Sequence, residues 1–571
     1  MKWSVFTSIW KKTVQRAVTK LEDQEFDLVI IGGGIFAACA AWDASLRGLS
    51  VAIIEQEDFG SGSSANSLKF IHGGIRYLQH GDIIRLKSSC RERSAMLRIA
   101  PHLVSPLPVL IPTYGHGKSG KLFLGIGMYL YDLLTLGRNR GIRDSERHIP
   151  LTRFLNKKEV LLEYPDLDSN GLTGAALFSD AQMYNPLRLV LSFVKSAVDR
   201  GAVAANYVAA ENFIRDGRRI VGVQARDRMT NKQLNIKART VLNAAGPWSD
   251  RLLQQTMPDI EVQKNVYSRD ACFLIKRRFS SPRAIAVQAQ TKDPDALLSR
   301  PARHLFLVPW REYTLVGVWH VIYDKHPEQV DVDKEEIQSF IDEINWAYPS
   351  LKLMTKDVCM WNAGLVPFGD NDEGAKNLSY GKRSHFIDHK IEDDLDNLVT
   401  LIGVRYTTAR GDSAKAINLI CKKLGLKGRV AKTDSISVAG GDIADFESTV
   451  HKLYEEQALN LSEDCVRALV HNYGTEAGGI VALAQQDKPL AATLGDTQVL
   501  KAEVVNAVKN ELAYNLTDVV FRRTDLASGS NPGKSVLKEC AEIMSGLLNW
   551  DEQEINKQVD KVLQRFPAWN L

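Results

Sequence analysis

The sequence predicts an α/β protein in three parts: a Rossmann-like nucleotide-binding domain, a mixed-sheet substrate or cap domain interleaved with it, and an all-helical C-terminal domain. Three observations predict this class. Residues 30–56, "IIGGGIFAACAAWDASLRGLSVAIIEQ", read as strand, glycine turn, helix and a second strand ending in an acid. A mixed α/β pattern runs on to about residue 435, with strand-like "RTVLNAAGPWSD" (239–250) and "NLVTLIGVRYTTARGD" (397–412). From about 440 the periodicity turns helical, in "AEVVNAVKNELAYNLTDVVFRRTDL" and "KECAEIMSGLLNWDEQEINKQVDKVLQRF". The boundaries expected are 1–25 for an N-terminal basic amphipathic segment, 26–437 for the nucleotide-binding and cap domains, and 438–571 for the helical domain, with "VAGGDIADF" (438–446) at the junction.

The first element rests on its glycines and its acid. Gly32, Gly34 and Ala37 fill the G-x-G-x-x-G/A pattern after the apolar strand "FDLVII". Gly32 allows the tight turn, Gly34 lets the backbone approach a pyrophosphate, and Ala37 relaxes only the helix-to-strand contact. The pyrophosphate would lie at the helix N-terminus, where free N–H groups and the dipole favour an anion. Glu55 ends the second strand, where a carboxylate can bind both ribose hydroxyls. The Ser/Gly-rich loop "FGSGSSANS" follows, and its Ser64, with Ser67 just beyond, belongs to the expected cofactor set.

The second element favours FAD over NAD. A single fingerprint is present, and the strand "TVLNAAG" ends in Gly246, which can return beneath it. The stretch "IGVRYTTARGDSAKAI", beginning at Ile402 and Gly403, has the form strand, turn, helix start. A helix N-terminus there would stabilise the negative charge that a reduced isoalloxazine develops near N1. Cys39, on the cofactor helix, reads as a packing residue.

Composition narrows the partners. A chain of 571 residues with 44% hydrophobic residues has room for several cores. Lys plus Arg (72) nearly balance Asp plus Glu (68), and no basic tract is interleaved with stacking aromatics, so nucleic acid is not an expected partner. The seven cysteines are scattered and never spaced CxxC, which argues against a disulfide framework or a zinc cluster; no metal site is expected, and a reducing cytosolic setting fits. No run of 18 apolar residues exists, so no bilayer span is expected. The N-terminal "MKWSVFTSIWKKTVQRAVTK" carries Lys2, Lys11, Lys12, Arg16 and Lys20, with Trp3, Phe6, Trp10 and Val14 at helical spacing. That chemistry suits a helix lying on an anionic membrane surface, or a docked amphipathic helix.

In order along the chain, "DLVIIGGGIFAACAAWDASLRGLSVAIIE", "SLKFIHGGIRYLQHG", "LNAAGPWSD", "RSHFID", "LIGVRYTTAR" and "AEVVNAVKNELAYNLTDVVFRRT" resemble the FAD-dependent glycerol-3-phosphate dehydrogenases, within the D-amino-acid oxidase-like flavoproteins. The resemblance covers about residues 26–565. It implies FAD, oxidation of the secondary alcohol of glycerol 3-phosphate, electron delivery to quinone or another acceptor, and a peripheral seat on the inner face of the cytoplasmic membrane. It also suggests that the apolar stretch "KLFLGIGMYLYDLL" (121–134) dips into lipid, the alternative being a core helix. A homodimer is admitted and not decided.

By the same resemblance His72, Arg76 and Tyr77 lie near flavin and substrate, Arg383 holds the substrate's anionic end, Arg405 stands where the family commonly has lysine, and Thr407 and Thr408 match flavin-side threonines. Arginine suits phosphate because its planar fork donates two parallel hydrogen bonds. Three departures surround the pocket: Val366 replaces an expected arginine, Trp319 and His320 stand for the family's "GTTD", and "SRDACF" (268–273) for its "KG-H". Losing one charge-assisted bond costs about 1.5–3 kcal/mol, so Arg405 or Arg269 is expected to compensate. For the proton acceptor, His72 is the first choice, His320 the second and His385 the third. The expected activity is dehydrogenation of glycerol 3-phosphate or a modified polyol or sugar-phosphate relative, catalysed by His72, Arg76, His320 and Arg383 in some combination. The alternatives are an oxidase of a non-phosphorylated hydroxy or amino compound, and a flavin-binding protein with faded activity.

Overall fold

The computed structural model describes residues 14, 16–75, 77, 81–115, 121–257, 266–279, 281–290, 304–368 and 384–570. Its nucleotide-binding sheet has six strands in the order His385–Asp388, Leu398–Ile402, Val241–Asn243, Leu28–Ile31, Val51–Ile54 and Val203–Ala205. All neighbours pair in parallel except His385–Asp388, which runs antiparallel at the edge. Leu28–Ile31 and Val51–Ile54 are buried throughout, as continuous apolar runs covered on both faces require. The helix Ile35–Leu46 packs against Pro186–Asp199 and Ala409–Lys423. Its run of alanines keeps helix propensity high while letting these neighbours approach closely.

The second layer is a large mixed sheet in the order Val358–Pro367, Tyr267–Ile275, Tyr313–Tyr323, His304–Trp310, Ala284–Gln288, Val104–Tyr114, Leu172–Met183 and Phe70–Ile71, with Arg153–Asn156 also paired to Leu172–Met183. Its strands come from both sides of Val241–Asn243 in the chain, so the cap and nucleotide regions are interleaved, as the sequence predicts. A separate antiparallel sheet, Val208–Asp216, Arg219–Asp227 and Gln233–Lys237, covers the nucleotide sheet from below. From Phe446 onward the named elements are helical, and this region packs on the large sheet through residues such as Leu516, Val520 and Phe566.

The N-terminal segment corrects one expectation in part. Residues 1–13 and 15 lie outside the described residues, but Val14 is buried and bridges to Glu511. Arg16 donates to the Asp227 carboxylate and to the carbonyls of Asn206 and Tyr207. These two side chains therefore belong to the protein interior and not to a lipid-facing helix: four of the five N–H donors of Arg16 are taken by one carboxylate and two carbonyls of the protein.

Buried charges join the helical region to the nucleotide region. The fully buried Asp58, three residues after Glu55, accepts from Arg522 Nε (2.6 Å), Arg523 Nη1 (2.8 Å), Arg523 Nη2 (2.7 Å) and Asn206 Nδ2 (2.9 Å). Burial pushes its carboxyl up, but the two guanidiniums outweigh burial and hold it below the ordinary range. Removing one partner of such a set leaves unpaired buried charge. Asp58→Ala is therefore expected to lower unfolding stability by about 3–5 kcal/mol, read as the shift in the urea midpoint at constant slope; an unchanged midpoint would show that the arginines find water instead.

Candidate active site

A cavity of about 920 Å³ opens above the C-terminal ends of the nucleotide-sheet strands. Its nucleotide end is built by the glycine turn. Gly32 has φ +107°, and a Cβ there would lie 2.6 Å from the Ala244 carbonyl oxygen, so only glycine fits between the two strands. Gly34 is the N-cap of Ile35–Leu46 and has no side chain of its own to cap the helix, which suits its N-terminus to an anion. Ile35 N–H donates to Ser64 Oγ (3.0 Å), fixing the Ser/Gly-rich loop over the helix start, and Ala37 is buried against the helix's neighbours. Glu55 accepts from Gly33 N–H (2.6 Å) and Glu57 N–H (2.8 Å), and burial pushes its carboxyl up to about 7 against those bonds. Gly246 and Gly403 line the cavity further along; a Cβ on Gly403 would fall 2.0 Å from the Phe36 ring. The helix N-terminus at Gly34, the closely approached glycines and the strand-end acid together fit FAD.

At the other end the chain assembles a proton-handling group. His72 is half exposed, stacks on Phe70 (4.9 Å between centroids), and places Nδ1 3.5 Å from Asp180 Oδ2. Its backbone N–H donates to Thr407 Oγ1 (3.0 Å), joining residues far apart in the chain. Asp180 also accepts from Gly73 N–H (2.5 Å) and from Arg93 Nη1 (2.8 Å), and Arg93 donates in turn to Tyr131 Oη (3.0 Å). Burial would raise the Asp180 carboxyl, but the His72 ring, the Arg93 charge and the Gly73 N–H hold it below its ordinary value. An ionised Asp180 at Nδ1 orients the imidazole and leaves Nε2 for the cavity.

Beside His72 stands the anion-binding candidate. Arg405 lines the cavity, donates to Tyr77 Oη (3.0 Å) and Ser89 Oγ (3.1 Å), and lies over the Tyr77 ring (5.2 Å). Both of these hydrogen-bond partners are neutral hydroxyls, and among the described residues no carboxylate pairs with it. Val366 lines the same cavity, where the family arginine was expected.

Several expected residues are placed elsewhere. Arg269 is bound by the Glu336 carboxylate and the Asp331 carbonyl and cannot replace the missing arginine. Trp319 packs on Phe340 (4.5 Å) and Phe273 (6.1 Å) and donates to Glu336, away from the cavity. His320 lies 3.6 Å from Asp270 Oδ1, and it is Asp270 that lines the cavity. His385 sits in the edge strand opposite Ile402. Thr408 turns inward and donates to the Arg405 carbonyl (3.4 Å), while Thr407 lines the cavity as expected. Ser67 lines it too and accepts from Lys69 N–H (3.3 Å). Arg76 and Arg383 lie outside the described residues. Cys39 is buried, a packing residue as read from the sequence.

Sequence reasoning missed Asp180, Arg93 and Ser89. The available signal for Asp180 was a lone carboxylate within the apolar strand "LTGAALFSDAQM", whose cost of burial demands a partner.

Comparison with known proteins agrees with this geometry. Residues 27–403 match the FAD dependent oxidoreductase family, and residues 431–555 match the C-terminal domain of alpha-glycerophosphate oxidase. The aerobic glycerol-3-phosphate dehydrogenase of Staphylococcus haemolyticus is 30% identical over 569 residues, covering 95% of each chain. The glycerol-3-phosphate dehydrogenase of Synechocystis sp. is 28% identical over 560 residues, covering 96% of this chain and 97% of its own. Among solved structures, the glycerol-3-phosphate dehydrogenase of Bacillus halodurans complexed with FAD superposes with a TM-score of 0.74 at 25% identity, over 96% of each chain. With the two family matches in tandem and relatives aligned along nearly their whole length, the chain belongs to the FAD-dependent glycerol-3-phosphate dehydrogenase family, an FAD-dependent oxidoreductase acting on CH–OH.

Proposed function

We propose that the protein oxidises glycerol 3-phosphate, or a closely related polyol phosphate, to the ketone and passes the electrons to a membrane-dissolved quinone. The observation that carries this reading is Arg405, a guanidinium whose side-chain hydrogen-bond partners among the described residues are neutral hydroxyls, lining the cavity that also holds His72. FAD, when bound, supplies the hydride acceptor. Gly32–Gly34 and Glu55 would hold its nucleotide half, and Gly403 and Thr407 the far end. Arg405 binds the phosphate and fixes the distance from it to the reacting carbon. His72 takes the hydroxyl proton at Nε2 as hydride leaves carbon, and the Asp180 carboxylate stabilises the imidazolium formed. Arg76 and Arg383 complete the anion site in this reading. Val366 favours a second, weaker reading: with one cation fewer, a non-phosphorylated alcohol or amine is less strongly excluded.

The quinone reading draws support from the helix Lys121–Leu134. Leu124, Met128 and Tyr131 are buried, whereas Ile126 (65% exposed), Tyr129 (63%) and Leu133 (62%) form an apolar outer face, beside Leu130 and Leu136. Among the described residues no helix is long and apolar enough to cross a membrane. In this reading the exposed face of Lys121–Leu134 rests in one leaflet and the protein sits peripherally on the inner surface.

Anaerobic titration of the purified holoprotein with glycerol 3-phosphate is expected to bleach the oxidised-flavin absorbance; an intact band at saturating substrate, with dithionite still reducing the flavin, would sink the substrate assignment. Arg405→Met is expected to weaken glycerol 3-phosphate by about tenfold to a hundredfold while leaving the flavin content unchanged. In stopped flow, His72→Gln is expected to slow flavin reduction by about 10²–10⁴-fold, and a wild-type rate would remove His72 as the base. The double variant Ile126→Glu, Leu133→Glu is expected to lose co-sedimentation with phosphatidylglycerol vesicles and retain bleaching in solution; unaltered co-sedimentation would place the membrane contact elsewhere.

A further inference from the structure

Lys69 combines features that a structural lysine does not need. Its residue is 4% exposed, and among the described residues its ammonium has no carboxylate partner; it lies over the Trp310 ring at 4.6 Å. Its backbone is left-handed, φ +60°, a conformation that disfavours residues with a Cβ. The peptide is fixed in that state from both sides: the N–H donates to Ser67 Oγ (3.3 Å) and the carbonyl accepts from Met183 N–H (2.8 Å). Burying a lone cation and holding its backbone in a sparse region both cost stability, and neither is offset by an ion pair. A methionine would fill the same volume without the desolvation cost.

The side chain nevertheless lines the cavity. Lys69 lies in the segment 61–70 that lines the cavity ahead of His72, so it belongs to the wall between the nucleotide end and the reacting end. Burial, with Arg311 adding to it and Cys272 opposing, lowers the ammonium to about 8, which leaves it charged at neutral pH. Leu68 and Phe70 flank it in the chain and the Trp310 ring lies against its ammonium, neighbours suited to a flat ring and poorly suited to a small hydrated anion that must exchange at each turnover.

We propose that Lys69 supplies the fixed positive charge against which the bound isoalloxazine becomes negative on reduction, and thereby sets how readily the cofactor accepts electrons. Fixed charge in a desolvated site stabilises developing charge without reorganisation. The inference rests on the FAD assignment and is independent of which alcohol is the substrate.

The test is redox equilibration of the FAD-loaded full-length protein with a reference dye, without substrate, after flavin content has been measured by acid release. At a fixed dye ratio, Lys69→Met is expected to lower the reduced-to-oxidised flavin ratio at least tenfold, which for a two-electron couple is about 30 mV. Lys69→Arg, which keeps the charge, is expected to remain within threefold of wild type. If Lys69→Met retains no flavin, Lys69→Gln takes its place as the neutral variant and must show the same fall. A neutral variant equilibrating like wild type overturns the proposal, and so does a fall in Lys69→Arg as large as in the neutral variant. An unchanged ratio together with weakened glycerol 3-phosphate binding would reassign the cation to the substrate, overturning the flavin role while leaving the proposed activity intact.

Discussion

The constraint on which the architecture depends is the burial of a single carboxylate. Asp58 lies just past the strand that delivers Glu55, with no access to water, and an isolated charge there would be prohibitively unstable. Arg522 and Arg523 reach it from the helical region and Asn206 from the end of the strand Val203–Ala205. The helical region is therefore an electrostatic component of the cofactor domain as well as a hydrophobic neighbour. Nearby, Glu511 repeats the device: its carboxylate is gripped by Arg188 and Lys195 and is held down to about 2, while its carbonyl accepts from Arg523.

The same logic organises the reacting end. Asp180 is the buried charge, Arg93 its compensation, and His72 the group whose orientation follows from both. Gly73 is required because a Cβ there would fall 2.2 Å from the Arg93 guanidinium. His72 at the cavity is thus held by the buried pair Asp180 and Arg93, and Gly73 of the "KFIHGG" stretch leaves room for them.

What could be read from the sequence was local. The strand, glycine turn, helix and acid of residues 28–55 are contiguous, and their periodicity and turn chemistry follow from neighbours in the chain. The interleaving of the two sheets was legible from the order of strand-like segments. Errors arose where the face of a strand had to be known. In Tyr267–Ile275, Asp270 turns to the cavity whereas Arg269 turns to Glu336; across the ladder Trp319 faces Phe340. Adjacent residues point to opposite sides, so a motif located to within one position can still be assigned to the wrong face. The pairing of Asp180 with Arg93 was illegible because partners 87 residues apart have no local signature, although a lone carboxylate in an apolar strand signalled that Asp180 needs one.

The strand order of the nucleotide sheet has a consequence for the timing of synthesis. Leu28–Ile31, which carries the glycine turn, pairs with Val241–Asn243, and that strand pairs with Leu398–Ile402. The binding surface made by the first fifty residues is therefore incomplete until about 350 further residues have left the ribosome. At ordinary elongation rates of about 5–20 residues per second, that interval is on the order of 20–70 s. During it the apolar run "LVII" and the alanine-rich helix lack their native cover, so the nascent chain is an obligate client of whatever shields hydrophobic segments in its cell.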